Sequence, residues 1–137
     1  VAERDDKYLR LAAEYDNYRK RTQKEKEAAY NDSKASTLAL LLPVIDNFDR
    51  AIDNKTDDIE AYRKGIEMTY NQLKDILNKA DVVAFGEIGE EFNPEIHNAV
   101  MTIESPDLPE NSIAAVFEKG YKMGDRVLRF ASVQITN

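Results

Sequence analysis

The sequence predicts an α+β protein in which a long helical part precedes a small β-domain. Residues 4–33 contain neither glycine nor proline and are dominated by good helix formers. Residues 36–80 carry apolar side chains at helical spacing, whereas residues 81–137 hold four of the five glycines and three of the four prolines between short β-branched and aromatic segments. We therefore expect a long coiled-coil helix in residues 1–33, a helical hairpin of a dimeric four-helix bundle in residues 34–80, and an antiparallel β-domain in residues 81–137.

The first helix carries a narrow apolar seam. Its large apolar side chains follow a three-four-three spacing at Tyr8, Leu11, Tyr15 and Tyr18, which places them on one face of a helix. No later segment has a comparable length and pattern to cover this seam. We therefore expect the same helix of a second copy to cover it, which gives a homodimer held by a parallel coiled coil.

The seam weakens in the second half of this helix. From Tyr18 the heptad continues through Thr22, Glu25, Ala29 and Asp32, positions that a stable coiled coil fills with Leu, Ile or Val. Because a helix pair depends on burying its apolar stripe, we expect this half to be loosely held and to melt before the rest of the protein.

Two more helices are predicted before residue 81. The polar triplet Asn31-Asp32-Ser33 offers N-cap side chains, so a break or bend is expected there. The apolar stretch STLALLLPVIDNFDRAI then predicts a second helix, in which Pro43 either kinks the helix or marks the first turn of a shorter one. A polar loop at residues 53–58 separates it from a third helix, expected from about Ile59 to Ala80.

These two helices are expected to form an antiparallel hairpin, because a short polar loop joins them. One hairpin has too little partner surface, so two hairpins, one from each protomer, would complete a four-helix bundle. The apolar positions assigned to the dimer interface in this part are Leu38, Leu41, Leu42, Ile45, Phe48, Ile66, Tyr70 and Leu73.

The pattern of residues 81–137 is typical of a small β-domain with short strands. Gly124-Asp125 is expected to form a two-residue hairpin turn, because glycine supplies the positive φ that the first turn position demands. An antiparallel sandwich or a partial barrel fits this pattern best. The predicted strands are 98–103, 113–118, 121–123, 126–130 and 133–135.

The net charge of −7 is unevenly distributed. Residues 1–35 hold nine basic and eight acidic side chains, whereas residues 81–137 hold four basic and ten acidic ones. Nucleic acid is therefore not an expected partner, since its binding depends on neutralising phosphates. The exception is a basic girdle on the first helix. A solvated helix face with intrahelical ion pairs and a docking patch for an acidic protein are both open interpretations of it. The girdle consists of Arg19, Lys20, Arg21, Lys24 and Lys26.

The absence of cysteine excludes disulfides and thiolate metal sites and fits a cytoplasmic protein. No apolar run approaches the roughly 18 residues that would span a bilayer, and no targeting pattern opens the chain. We therefore expect no membrane association. Because the sequence begins at Val1 rather than Met, a leading segment outside it is expected.

Residues capable of catalysis or metal binding are few. His97 is the only histidine, and no glycine-rich loop precedes a helix to hold phosphate. A metal site built from His97 and the carboxylates of residues 90–95 is a weaker interpretation than a structural or surface-contact role, because one imidazole near carboxylates is common by chance. We therefore assign no catalytic residue, no metal site and no cofactor.

Three residues of the β-domain, Tyr121, Arg126 and Arg129, are of the types that dominate interface energies. Packing or pairing within the domain is the other interpretation of each, with equal weight. A long rod and a compact β-module would offer separate contact surfaces to a large protein partner.

Four strings of the sequence, in order, resemble the GrpE family of nucleotide exchange factors for DnaK-type heat-shock chaperones. They are AEYDNYRKRTQKE, LLPVIDNFDRAI, FNPEIHNAV and KGYKMGDRVLR, and the third string followed by GY and DRVLR is the most distinctive. The resemblance covers nearly the whole chain. It implies a parallel homodimer with long paired helices, a four-helix bundle and a C-terminal β-domain, in agreement with the layout predicted from the residues.

The resemblance also implies a function without covalent chemistry. In GrpE-like proteins the β-domain of one protomer docks on the ATPase domain of the chaperone and opens its nucleotide cleft, so that ADP leaves; the factor itself binds no nucleotide. The implied partner-binding positions are Arg19, Lys20, Arg50, Pro94, His97, Gly120, Tyr121, Arg126, Arg129 and Ile135. The resemblance also implies a thermosensor role, in which the paired helices loosen with heat. The weak seam after Tyr18 would be a local cause of this loosening.

The sequence departs from the family at Phe130, where Pro or Ala is common. A bulky aromatic residue there would alter the last strand or add apolar contact near Ile135. The competing hypothesis is a dimeric holdase that binds unfolded clients along its long helices. A structural coiled-coil adaptor ranks third, and an enzyme last.

Overall fold

The computed structural model describes all residues, Val1–Asn137. Three helices precede six strands, which confirms the predicted α+β class. The chain forms two compact units, Val1–Asn54 and Lys55–Asn137. None of the helices is long and apolar enough to cross a bilayer.

The first unit consists of two helices, α1 (Ala2–Ala39) and α2 (Leu42–Asp53). The break expected at residues 31–33 is wrong, because α1 continues through them to Ala39. Pro43 explains the position of the real break. It has no N–H to donate to the carbonyl of Ala39, four residues earlier, and its ring would clash with that carbonyl in a continuous helix.

Pro43 instead lies in the first turn of α2, where its missing N–H costs nothing. This confirms the alternative in which Pro43 marks the start of a shorter helix. Of the apolar stretch predicted as one helix, Leu38 therefore belongs to α1 and Leu41 to the turn between the helices. No residue of α1 is buried in the single chain, so this helix gains no tertiary packing from its own unit.

The second unit begins with α3 (Ile59–Lys79), close to the predicted bounds. The side chain of Asp58 caps it by accepting from the backbone N–H groups of Glu60 and Ala61 at 3.0 and 3.4 Å. At the other end Asp81 has a φ of +62°, the left-handed conformation that commonly terminates a helix.

Six strands follow and form two three-stranded sheets. One sheet has the order β1-β4-β5 and is antiparallel, and the other has the order β2-β6-β3. The strands are β1 (Val82–Phe85), β2 (His97–Ile103), β3 (Ile113–Glu118), β4 (Gly120–Met123), β5 (Arg126–Arg129) and β6 (Ala131–Thr136). All five predicted strands are present, β3 with the predicted ends and the other four with shifted ends, and β1 was not predicted.

The pairing of β2 with β6 is parallel, which corrects the expectation of a purely antiparallel domain. Direct hairpins impose antiparallel pairing only on strands joined by short turns. Here β2 and β6 are separated by the three intervening strands, so the long connection allows either direction. The β3–β6 pair is antiparallel, and the second sheet is mixed.

The predicted turn at Gly124-Asp125 is confirmed. Met123 pairs with Arg126 across the β4–β5 hairpin, and Gly124 has a φ of +58°, as the first position of a type II′ turn requires. The N–H of Gly124 donates to the carbonyl of Asp81 at 3.3 Å. This bond ties the hairpin tip to the end of α3.

The core of the β-domain is small and apolar. Ile113, Ala131 and Val133 are fully buried, and four partly buried side chains pack around them: Phe85, Phe92, Val116 and Ile135. Because this core comes from both sheets and the loop before β2, it fixes the position of each relative to the others.

Candidate partner-binding surface

The β4–β5 hairpin presents the predicted contact residues on one face. Tyr121 pairs with Arg129 and Met123 pairs with Arg126 across the two strands, and side chains at paired positions share a face. We call these four residues the Tyr121 face. Lys122, between Tyr121 and Met123, points to the opposite side of the sheet.

Arg129 is held in place by two contacts. Its guanidinium carbon lies 5.3 Å from the centre of the Tyr121 ring, within the range of a cation–π interaction. Its Nε donates to the carbonyl of Lys119 at 3.0 Å. The planar, always-charged guanidinium is therefore fixed at the surface.

The cations of the β-domain have no acidic partner within the chain. Residues 81–137 contain four basic side chains, Lys119, Lys122, Arg126 and Arg129. The ion pairs of the chain involve Asp16, Glu25, Glu67 and Glu90, and none includes these four. A domain that is acidic as a whole thus carries unpaired positive charge on one hairpin. Such a surface favours an acidic partner.

Gly120 lies at the buried end of this hairpin. It pairs with Phe85 on β1, and the Phe85 ring fills the space beside it, so a Cβ at this position would overlap three ring carbons. Gly120 itself is buried. Because Gly120 has no side chain, the Phe85 ring can reach the core. Gly120 directly precedes Tyr121 in the chain.

Pro94 lies on a separate, exposed turn between Asn93 and His97. The carbonyl of Asn93 accepts from the N–H groups of Ile96 and His97 at 3.1 and 2.8 Å. The Asn93 side chain accepts from the Glu95 N–H at 3.0 Å. Asparagine followed by proline favours such a turn, because the side chain can bond to the backbone two residues on and proline presets φ.

His97 lies beneath this turn and is 3% exposed. Its Nδ1 accepts from the N–H of Asn93 at 2.9 Å, and its Nε2 lies 3.8 Å from Oε2 of Glu90. No group of three or more histidine or acidic residues is placed to hold a metal ion. Sequence reasoning missed both His97 partners, although the Asn-Pro dipeptide four residues before the histidine was a signal for the turn.

The remaining predicted contact residues lie apart from the hairpin or below the surface. Arg19 and Lys20 are exposed on α1 and pair with Asp16 at 3.6 and 3.1 Å, and Arg50 is exposed on α2 and bonds to Asn47. Ile135 is partly buried and packs on the core.

The predicted dimer-interface residues are mostly exposed in the single chain. Tyr8 is 75% exposed and Leu42 is 56% exposed; only Leu73 is half-buried. The other exposed members of this set are Leu11, Tyr15, Tyr18, Leu38, Leu41, Ile45, Phe48, Ile66 and Tyr70. Large apolar side chains exposed in this number within the first unit are typical of a protein interface.

A model of the GrpE family matches residues 1–137, the whole of this sequence. The chain belongs to the GrpE family. Proteins called Protein GrpE are 47% identical to it over 132 residues in Clostridium beijerinckii, 46% over 135 residues in Clostridium perfringens and 46% over 129 residues in Carboxydothermus hydrogenoformans. These matches confirm the resemblance carried by the four sequence strings.

The alignments cover 96%, 96% and 94% of this chain but 63%, 62% and 66% of these GrpE relatives. The chain thus spans less than two thirds of their length. It includes the α1 seam, the Asn93–His97 turn and the β4–β5 hairpin.

Proposed function

We propose that this chain is an adenyl-nucleotide exchange factor, a co-chaperone that binds the ATPase domain of a DnaK-type chaperone and promotes ADP release. The observation that carries the proposal is the GrpE match over all 137 residues. The Tyr121 face supports it, since fixed arginine and tyrosine side chains without acidic partners suit a protein interface. The proposal involves no covalent chemistry, cofactor or nucleotide bound by this chain, and its setting is the cytoplasm.

The proposed mechanism is a population shift. The factor binds the chaperone with its nucleotide cleft open better than with the cleft closed, and this difference in affinity alone shifts the equilibrium. Because ADP favours the closed cleft, thermodynamic linkage requires that ADP weaken binding of the factor by the same ratio.

We propose that the acting species is a parallel homodimer. A single chain leaves the seam of α1 in water, with Tyr15 64% and Tyr18 55% exposed, although a helix of this kind needs an apolar partner. A second copy would cover the seam, and the α2–α3 hairpins of two protomers would form a four-helix bundle. The division at residue 80 remains part of this prediction, whereas the predicted boundary at residue 33 falls inside α1.

We propose that the partner-binding residues act at two places. The β-domain contributes the Tyr121 face and the Asn93–His97 turn, which carries Pro94. The exposed cations Arg19, Lys20 and Arg50 contribute a contact along the helical part, for which their charge suits an acidic surface. The proposal includes no other class of partner than the chaperone; nucleic acid and membranes are not part of it.

Calorimetric titration of the chaperone's ATPase domain with this protein tests the proposal. We expect a complex in the absence of nucleotide and a clear loss of affinity when ADP is present. Equal affinity with and without ADP would contradict the exchange mechanism.

A thermosensor role is a further part of the proposal, because α1 has no buried residue in its own unit and a poor heptad after Tyr18. The exposed seam also favours the second candidate, a holdase. Suppression of client aggregation in the absence of any chaperone would support the holdase and not the exchange factor.

A further inference from the structure

His97 is a buried polar residue whose bonds all lie within one short segment. Its ring lies near two aromatic rings, with centroids 6.1 Å from Phe85 and 6.0 Å from Phe92. Only 1% of its side chain is accessible. A protein partner therefore cannot touch the imidazole without displacing the residues above it.

Two hydrogen bonds join His97 to Asn93 in opposite directions. The Asn93 N–H donates to Nδ1 of His97 at 2.9 Å, and the His97 N–H donates to the Asn93 carbonyl at 2.8 Å. Together they close the turn that carries Pro94. Without the Nδ1 acceptor the partly buried N–H of Asn93 would lose its partner within the chain, and the turn would lose the stabilisation of that hydrogen bond.

The ring orientation is set by Nδ1. A backbone N–H can only donate, so Nδ1 must accept, and the hydrogen of the neutral ring lies on Nε2. Nε2 is buried and has no hydrogen-bond partner, since Oε2 of Glu90 at 3.8 Å is beyond hydrogen-bond range. A flipped ring would give up the Asn93 bond.

The turn is also anchored at both ends by backbone hydrogen bonds to other parts of the β-domain. The carbonyl of Ile96 accepts from the Ala131 N–H at 3.1 Å, and the Phe92 N–H donates to the Asn111 carbonyl at 2.8 Å. The segment between these anchors is closed by the two Asn93–His97 bonds. The side-chain bond of His97 is therefore one of the two bonds that span the exposed residues 94–96.

We infer that His97 is a positioning residue: it holds the Asn93–His97 turn closed, so that Pro94 offers a preformed contact to the chaperone. This inference rests on the proposed exchange function. A preformed contact lowers the entropy lost on binding. His97 therefore acts on the partner through Pro94 and not through its own ring.

Two variants separate the acceptor from the ring. His97→Phe keeps an aromatic ring near Phe85 and Phe92 but removes the acceptor, whereas His97→Asn keeps an acceptor near the place of Nδ1 and removes the ring. We expect hydrogen exchange of the Asn93 amide to quicken about tenfold in the Phe variant and much less in the Asn variant. Amide protection in β3 and β6 reports whether each variant is folded. If the Phe variant does not fold, His97→Gln is used instead. The glutamine side chain is longer, so its amide lies beyond the Nδ1 position and places no acceptor there.

A double-mutant cycle with Pro94→Ala measures the effect on function. We expect His97→Phe to lower the chaperone affinity about five- to tenfold in the wild-type background and to have almost no effect in the Pro94→Ala background. The readout is stimulated release of labelled ADP at several concentrations of this protein.

Each outcome decides the question. Failure of the wild-type chain to accelerate ADP release would overturn the proposed function and this inference with it. An active wild type with a His97→Phe variant that is equally active would overturn the positioning role alone. An equal loss in both Pro94 backgrounds would also overturn it, because His97 would then act by another route.

Discussion

The ring of Phe85 occupies the space that a side chain on Gly120 would need. A Cβ on Gly120 would lie 2.7 Å from Cε1 of Phe85 and closer still to two other ring carbons. On its other side the Phe85 ring lies against His97, with centroids 6.1 Å apart. This pair therefore joins the hairpin of the Tyr121 face to the turn that carries Pro94.

Gly120→Ala should destabilise the β-domain. The added methyl group must displace the Phe85 ring from a packed site, and overpacking of this kind costs about 1–3 kcal/mol. Urea unfolding followed by circular dichroism would measure the loss. Gly65→Ala is the control, because no atom lies within 4 Å of its Cβ position. Alanine in place of glycine within a helix should raise the free energy of unfolding by about 0.5–1 kcal/mol. Equal stability of Gly120→Ala and wild type would refute this packing account.

Arg126→Ala should slow stimulated ADP release while leaving the dimer intact. Arg126 is exposed on the Tyr121 face and has no ion pair within the chain. Loss of a central interface arginine commonly costs more than about 1 kcal/mol, which corresponds to about fivefold in affinity. Lys122→Ala removes the same charge from the other face of β4 and should have little effect. Equal effects of the two variants would show that net charge, and not the Tyr121 face, matters.

Tyr15→Asp should weaken association of two chains. Tyr15 lies in the α1 seam, and a carboxylate there would be buried without a partner in a coiled coil. We expect the dissociation constant from sedimentation equilibrium to rise at least about tenfold. Tyr30→Asp makes the same change outside the seam on the same helix and serves as the control. A seam variant that dimerises as tightly as wild type would exclude the parallel coiled coil.

Asp81→Gly should stabilise the second unit. Asp81 has a φ of +62°, which glycine adopts without strain, and its negative charge lies at the C-terminus of α3, where the helix dipole disfavours it. We expect a gain of about 1 kcal/mol in the free energy of unfolding. Asn111 has nearly the same φ, +61°, but it carries no charge at the end of a helix, so Asn111→Gly should raise stability less. An Asp81→Gly variant no more stable than Asn111→Gly would contradict the charge argument.

The helices and most strands could be predicted because their signals are local. Propensity, apolar spacing and turn residues identified α1, α3 and the β4–β5 hairpin. The end of α1 was misplaced because capping side chains at residues 31–33 were given more weight than Pro43. A capping residue can lie inside a helix at small cost, whereas proline removes a hydrogen bond and clashes with the preceding turn.

Other features depend on contacts between distant residues and could not be predicted. The strand β1 is only four residues long and is defined by its pairing with β4. The parallel pairing of β2 with β6 likewise joins residues that lie far apart in the chain, such as His97 and Ala131. His97 is buried where it lies near the ring of Phe85 on β1, a contact between two different parts of the β-domain.

The exchange function itself is tested most directly by stopped-flow release of a fluorescent ADP analogue from a DnaK-type chaperone, with and without this protein. The account predicts a release rate that rises with the concentration of the dimer and reaches a plateau, with Arg126→Ala giving a smaller rise than Lys122→Ala. A release rate unchanged by the wild-type protein would contradict it.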